Sequence, residues 1–270
     1  MVEIFENIVT AEQISELRAY MDTDDHTTDA RPDVRSNCPK WNQDQFPQET
    51  LRVILDQVVG TNYMPETVLF YNSRISFRLH VDSSDGQQDL YKNVLIPLWN
   101  DGYAGTVLFD NYWLGPSTRF SRTNASPLRY NLPDRSGKFI WVEDIRVLLE
   151  QCQTQPNLVT EFDVTDKFIA DLEHLVQVRS ITGAGTDDRR TSDYSQIINY
   201  KPGKKFDSEM HARYISHIPI EDLHGLTVNR VVDWNPGSVI VFDRNQLHCA
   251  ASGHNQKIGV SIFLNHKIKH

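Results

Sequence analysis

Apolar positions in the first sixty residues recur at three-to-four spacing. In TAEQISELRAYM, Ile14, Leu17 and Met21 share one face, which predicts a helix. Thr10 can cap it, and Gln13 can close a capping box. FPQETLRVILDQVVG repeats the pattern at positions 51, 54, 55, 58 and 59, with Gly60 as its stop. The texture then changes. TVLFYNSRISFRLHVD, YKNVLIPLWN and GTVLFDNYWL are rich in β-branched and aromatic residues and are separated by Asp-Gly and Tyr-Ala-Gly turns, a run of strands. A less regular middle holds two helical patterns, VEDIRVLLEQC and VTDKFIADLEHLVQV. The polar, glycine-bearing TGAGTDDRRTSDYS that follows predicts a mobile loop. Strands return with QIINYKPG, LTVNRVVDW, SVIVFDR and KIGVSIFLN.

No internal repeat and no clear linker divides this order. Helices first, strands twice and an inserted middle predict one α+β domain with a β-sandwich core. Its parts are N-terminal helices over 1–60, first strands over 65–115, an insertion or lid over about 116–195, and the remaining strands over 196–270.

Composition narrows the setting. The chain has 270 residues, 39% apolar and 23% charged, which fits an ordinary soluble globular domain. No apolar run approaches a membrane span. The first residues lack the basic and small-residue pattern of a secretion signal. Cys38, Cys152 and Cys249 are too few and too scattered for a disulfide framework or a cysteine-rich zinc site, so a reducing, cytoplasmic compartment is expected. The formal net charge of −9 and the lack of a long Lys/Arg run disfavour nucleic acid as a partner.

The first specific chemistry is FRLHVDSSDG. Residues 77–81 read as the end of a strand, and residues i and i+2 of a strand point to one side, so His80 and Asp82 can reach one metal ion. A His-Val-Asp at a strand end is also common on solvated surfaces. The far segment, WNPGSVIVFDRNQLHCAASGHNQKIGVSIFL, shifts the balance. It puts a second imidazole, His248, on a strand of the same sandwich. Two imidazoles and one carboxylate on a β-barrel face make the facial triad of non-haem Fe(II) oxygenases, with coordination positions left open.

On these residues the chain resembles the Fe(II)/2-oxoglutarate-dependent dioxygenases, most of all their prolyl-hydroxylase-like and phytanoyl-hydroxylase-like groups. The family pattern is H-x-D, a distal histidine, and a basic residue nine to eleven positions later. Here that gives His80-Val81-Asp82, His248 and Lys257. NVLIPLW, GTVLFD and PGSVIVFDRNQLHCA resemble family strands, and IFENIVTAEQISEL resembles the opening helix. The resemblance spans about residues 1–110 and 195–270. It implies a double-stranded β-helix (jelly-roll, cupin-like) core with flanking helices and an inserted mixed segment. It also implies Fe(II) on His80, Asp82 and His248, with 2-oxoglutarate and O2 as co-substrates. Lys257, on the last strand of the same sheet as His248, would neutralise the far carboxylate. Tyr71, read as lying on the same strand as His80, would donate to 2-oxoglutarate, and Ser261 would assist at its carboxylate. The implied reaction hydroxylates or desaturates a C–H bond of a small molecule or a protein side chain. An aspartate at 82 fills the position that related halogenases leave open for halide.

The chain departs from the pattern in places. Asp82 and His248 are 166 positions apart, which the insertion explains. The basic residue is lysine, a point charge without the arginine fork. NYKPGKKFDSEMHARY offers a rival pair, Glu209 and His211, but too few strands fit between His211 and His248 to build the barrel. His211 is therefore expected to line the pocket or serve the fold. Arg74 and Arg78 are further cations on the face assigned to His80, and Cys249 is expected to face away from His248. Two other readings stay open: a cupin-like metal protein or isomerase without 2-oxoglutarate, and a non-catalytic barrel that binds a partner.

Overall fold

The computed structural model describes residues 2–22, 34–37, 46–73, 76–83, 90–115, 118–122, 130–136, 139–142, 145–182, 190–252 and 256–267. The chain forms two compact units, one built from 1–30, 34–122 and 189–270, the other from 31–33 and 123–188. Among the described residues, no helix is long and apolar enough to cross a membrane.

In the larger unit the strands are β1 (Glu3–Phe5), β2 (Val34–Asn37), β3 (Tyr63–Ser73), β4 (His80–Val81), β5 (Leu90–Asn100), β6 (Gly105–Tyr112) and β7 (Thr118–Phe120). In the smaller unit, β8 (Tyr130–Pro133) pairs with β9 (Phe139–Val142). The larger unit resumes with β10 (Arg190–Thr191), β11 (Val228–Asp233), β12 (Val239–Asp243), β13 (Gln246–Ala250) and β14 (Lys257–His266). Its strands form two six-stranded sheets, ordered β1-β12-β5-β14-β3-β2 and β10-β7-β4-β13-β6-β11. All pairs are antiparallel except β10 with β7. From β3 to β6 and again from β11 to β14, each strand crosses to the opposite sheet from the one before it.

Strand alternation explains both faces of each sheet. In β14, Ile258, Val260, Ile262 and Leu264 point to one side, joined by Val68 and Phe70 of β3 and Val94, Ile96 and Leu98 of β5. Helices α1 (Ala11–Asp22) and α2 (Gln48–Val59) cover that side with Leu17, Leu51, Ile54, Leu55 and Val58. The amphipathic pattern of both helices is thus spent on one sheet face. The expected capping box is present: Thr10 N–H donates to Gln13 Oε1 at 2.9 Å, and Gln13 N–H donates to Thr10 Oγ1 at 3.3 Å. The alternate residues face inward, where Tyr71, Leu95, Ile240 and Phe242 of the first sheet meet Leu108 and Val232 of the second and Ala104 just before β6. On the outer face of the second sheet, Leu79, Val81, Val107, Phe109, Leu247 and Cys249 pack against Tyr194, Phe206, Ile215 and Leu223. That outer layer includes α5 (Ser208–Tyr214) and α6 (Ile220–Leu223).

The smaller unit has its own core. Leu132, Ile145, Leu148, Cys152, Phe162 and Leu172 pack together, drawn in part from α3 (Ile145–Thr154) and α4 (Asp166–Thr182).

Two expectations about strands are corrected. TVLFYNSRISFRLHVD is two strands, β3 in the first sheet and β4 in the second, so Tyr71 and His80 do not share a strand. QIINYKPG forms only an isolated bridge, Tyr112 to Ile198. Residues 183–189 of the expected mobile loop, and Arg74, lie outside the described residues.

Candidate metal centre

His80 and His248 are direct cross-strand partners on β4 and β13, and their ring centroids lie 4.2 Å apart. Both are inward positions of the second sheet, because their neighbours Leu79, Val81, Leu247 and Cys249 are outward. Cys249 therefore faces away from His248, as alternation requires. Asp82 follows β4 directly and turns its carboxylate onto the same spot. His248 Nε2 is 3.0 Å from Asp82 Oδ2, and His80 Nε2 is 3.6 Å from Asp82 Oδ1. One ligand atom from each of the three lies within 4.8 Å of the others.

The second nitrogen of each ring fixes its tautomer. His80 Nδ1 sits 2.6 Å from the Arg78 carbonyl, and His248 Nδ1 sits 3.0 Å from the Gln246 carbonyl. A carbonyl only accepts, so each Nδ1 carries a proton, and each Nε2 points toward Asp82. This arrangement orients metal-binding imidazoles. Electrostatics agrees. Burial pushes His80 down to about 4, with His248 adding to the effect, so its imidazole stays neutral. Burial acts to raise the Asp82 carboxyl, but His248, His80 and Arg244 outweigh it and hold the group below its ordinary value. Two imidazoles and an ionised carboxylate converging on one spot fit a divalent transition metal.

Asp82 is held on both ends. Its carbonyl accepts from Arg244 Nε at 3.0 Å and Nη2 at 2.8 Å, and its N–H donates to the Arg244 carbonyl at 3.1 Å. Its Oδ2 accepts from Asn93 Nδ2 at 2.5 Å, and Asn93 Oδ1 accepts from Ser261 Oγ at 3.0 Å.

A pocket opens in front of the three residues, lined by both sheets. Leu69, Tyr71, Leu95, Lys257, Ser261 and Phe263 come from the first sheet. Lys257 is on the sheet opposite His248, which corrects the expectation of a shared sheet. The reason is that the chain crosses the sandwich between β13 and β14, so nine residues lead to the facing wall. Lys257 is only 2% exposed. Among the described residues no carboxylate pairs with it; its Nζ lies over Trp234 at 4.7 Å and Phe77 at 5.6 Å. Burial pushes it down to about 7. Tyr71 is buried beside Phe77 and Trp234. Its hydroxyl has no hydrogen-bond partner among the described residues, and burial pushes its pKa up.

The rival pair is not part of this cluster. Glu209 and His211 lie on α5, whose N-terminus is capped by Asp207 Oδ1 accepting from Met210 N–H at 2.7 Å. His211 Nε2 is 2.8 Å from the Ile218 carbonyl, so this histidine ties a helix to the following turn. Sequence reasoning missed Asn93, Trp234 and Arg244. A buried asparagine inside the apolar run NVLIPLW was the one visible signal.

No protein-family model matches the sequence, and comparison with curated proteins finds no match. Among solved structures, the chain is similar to HygX from Streptomyces hygroscopicus with nickel, 2-oxoglutarate and hygromycin B bound. The identity is 11%, the match covers 99% of this chain and 82% of that one, and the TM-score is 0.41. It is similar to EctD from S. alaskensis at 13% identity, over 98% of this chain and 72% of that one, with a TM-score of 0.43. A Pseudomonas putida prolyl-4-hydroxylase is similar at 8% identity, over 98% and 92% of the two chains, with a TM-score of 0.41.

Proposed function

We propose that the protein is an Fe(II)- and 2-oxoglutarate-dependent oxygenase that hydroxylates or desaturates an unactivated C–H bond of a small molecule or a protein side chain. One observation carries this reading. A ready metal-ligand trio and a buried lysine with no anionic partner among the described residues line the same cavity from opposite sheets.

His80, Asp82 and His248 would hold the metal. Three protein ligands leave positions for a chelating co-substrate and O2. A buried ammonium without a counter-ion is costly, and an incoming dicarboxylate supplies the missing charge. Lys257 would pair with the carboxylate far from the metal, and the Tyr71 hydroxyl has a proton free to donate to the same ligand. Iron(II) with 2-oxoglutarate, when bound, supplies O2 activation, with 2-oxoglutarate converted to succinate and carbon dioxide. The apolar walls made by Leu69, Phe77, Leu95, Trp234 and Phe263 limit water around these groups. The repeated crossing of consecutive strands between two sheets supports a double-stranded β-helix as the scaffold.

The test is an anaerobic titration of 2-oxoglutarate into Fe(II)-loaded protein, followed by exposure to O2. The reading expects a visible metal-to-ligand charge-transfer band and succinate after O2 enters. Metal binding with no band and no succinate would instead identify a cupin-like metal protein.

A further inference from the structure

Asp82 Oδ2, 3.0 Å from His248 Nε2, is also gripped by a side chain of the opposite sheet. The elements around it show how. Asn93 of β5 is fully buried and faces the cavity side of the first sheet. Its amide lies between Asp82 Oδ2, at 2.5 Å, and Ser261 Oγ, at 3.0 Å. Chemistry fixes the direction of this chain. An ionised carboxylate only accepts, so the amide nitrogen must face Asp82. The amide oxygen then faces Ser261, and the serine must donate. The single hydroxyl proton of Ser261 is thereby committed to Asn93 and is not available to a co-substrate carboxylate, which also only accepts.

We infer that Asn93, oriented by Ser261, is a positioning residue that fixes the orientation of the Asp82 carboxylate at the metal centre through Oδ2, and that Ser261 serves the metal centre rather than 2-oxoglutarate. This rests on the proposed metal site. β5 and β14 are neighbours in the first sheet, so the chain of hydrogen bonds ties the ligand that follows β4 to the centre of the opposite sheet. Partners of this kind, behind a metal ligand, typically set its affinity by about ten- to a hundredfold.

The experiment compares wild type with Asn93→Leu, Ser261→Ala and Ser261→Thr. Mn(II) affinity is measured by anaerobic titration with electron paramagnetic resonance, and 2-oxoglutarate affinity is measured at saturating metal. Asn93→Leu should weaken Mn(II) binding by about ten- to a hundredfold and alter the spectrum of the bound ion. Ser261→Ala should weaken it by several-fold, and Ser261→Thr, which keeps the hydroxyl, should restore it. Unchanged metal affinity in folded Ser261→Ala, or a loss confined to 2-oxoglutarate, would overturn the inference. The two serine variants decide the matter even where Asn93→Leu does not fold. Failure of the wild-type protein itself to bind Mn(II) would instead count against the metal site.

Discussion

Arg244 and Asp82 clasp each other: the Arg244 guanidinium donates twice to the Asp82 carbonyl, and the Asp82 N–H donates back to the Arg244 carbonyl. The guanidinium is 2% exposed and is also paired with Glu66 and with Asn265 Oδ1. One buried cation thus fixes the turn that presents Asp82 and neutralises a carboxylate from β3. Arg244→Met should destabilise the fold by about 3–5 kcal/mol, because it strands buried polar partners. Arg244→Lys should recover only part, since an ammonium lacks the planar fork that reaches several acceptors at once. Chemical denaturation of the three proteins measures both effects, and equal midpoints would show that the clasp contributes nothing.

The proposed metal ligands make a separate prediction. His80→Ala, Asp82→Ala and His248→Ala should each abolish measurable Fe(II) binding in protein that still folds. Glu209→Ala and His211→Ala should leave Fe(II) affinity at the wild-type level, since α5 lies on the outer layer. As a proposed metal ligand, Asp82 would fill the position a halide needs, so wild-type turnover in chloride should give no chlorinated product by mass spectrometry.

Gly259 sets the depth of the cavity wall. A Cβ there would lie 2.7 Å from the Trp234 ring, and that ring cannot retreat freely because its Nε1–H donates to Thr106 Oγ1 at 2.8 Å. Gly259→Ala should therefore cost about 1–3 kcal/mol in stability, as overpacked cores do. It should also weaken 2-oxoglutarate binding, because the displaced indole is the ring nearest Lys257 Nζ. Thermal melts and the charge-transfer titration read the two effects separately.

How much of this was legible in the sequence follows from the range of each signal. His80 and Asp82 were readable as a pair because strand spacing is local, and the two N-terminal helices were readable because their apolar period is complete. Pairing across the sandwich was not readable. Short turns such as Asp243-Arg244-Asn245 look like hairpin turns, yet here they carry the chain from one sheet to the other, which is why Lys257 was assigned to the wrong sheet. Glu209 and His211 stood as a rival pair because Glu-x-His repeats the H-x-D spacing in reverse, and the cap at Asp207 that makes the segment helical is a weaker signal than the motif. Asn93 had no motif at all. Its role depends on Ser261, which is far from it in sequence, and only the packed sheet brings them together.

Lys257 gives the sharpest prediction because it joins stability to ligand binding. Its folded-state pKa is about 7, against 10.5 for an unperturbed lysine, through burial. Between those values the unfolded chain holds a proton that the folded chain has released. Stability should thus rise with pH from about 7 to 10.5 and be lowest at and below neutral pH. Lys257→Met removes this penalty and should stabilise the protein at pH 6 by an amount on the order of 5 kcal/mol at most. The same change should weaken 2-oxoglutarate binding to the Fe(II)-loaded protein by about a hundredfold or more, since a partner of a buried charge pair is worth about 3–5 kcal/mol. Metal affinity should stay near wild type. Lys257→Arg should restore part of the co-substrate affinity. The pH dependence has a definite sign: the ligand needs the ammonium, so above pH 7 binding must take up a proton. The dissociation constant should then rise by up to about tenfold per pH unit in wild type and stay flat in Lys257→Met. A flat profile in wild type, with equal stability of the two proteins at pH 6, would remove Lys257 from the co-substrate site and leave Arg78 as the next cation to test.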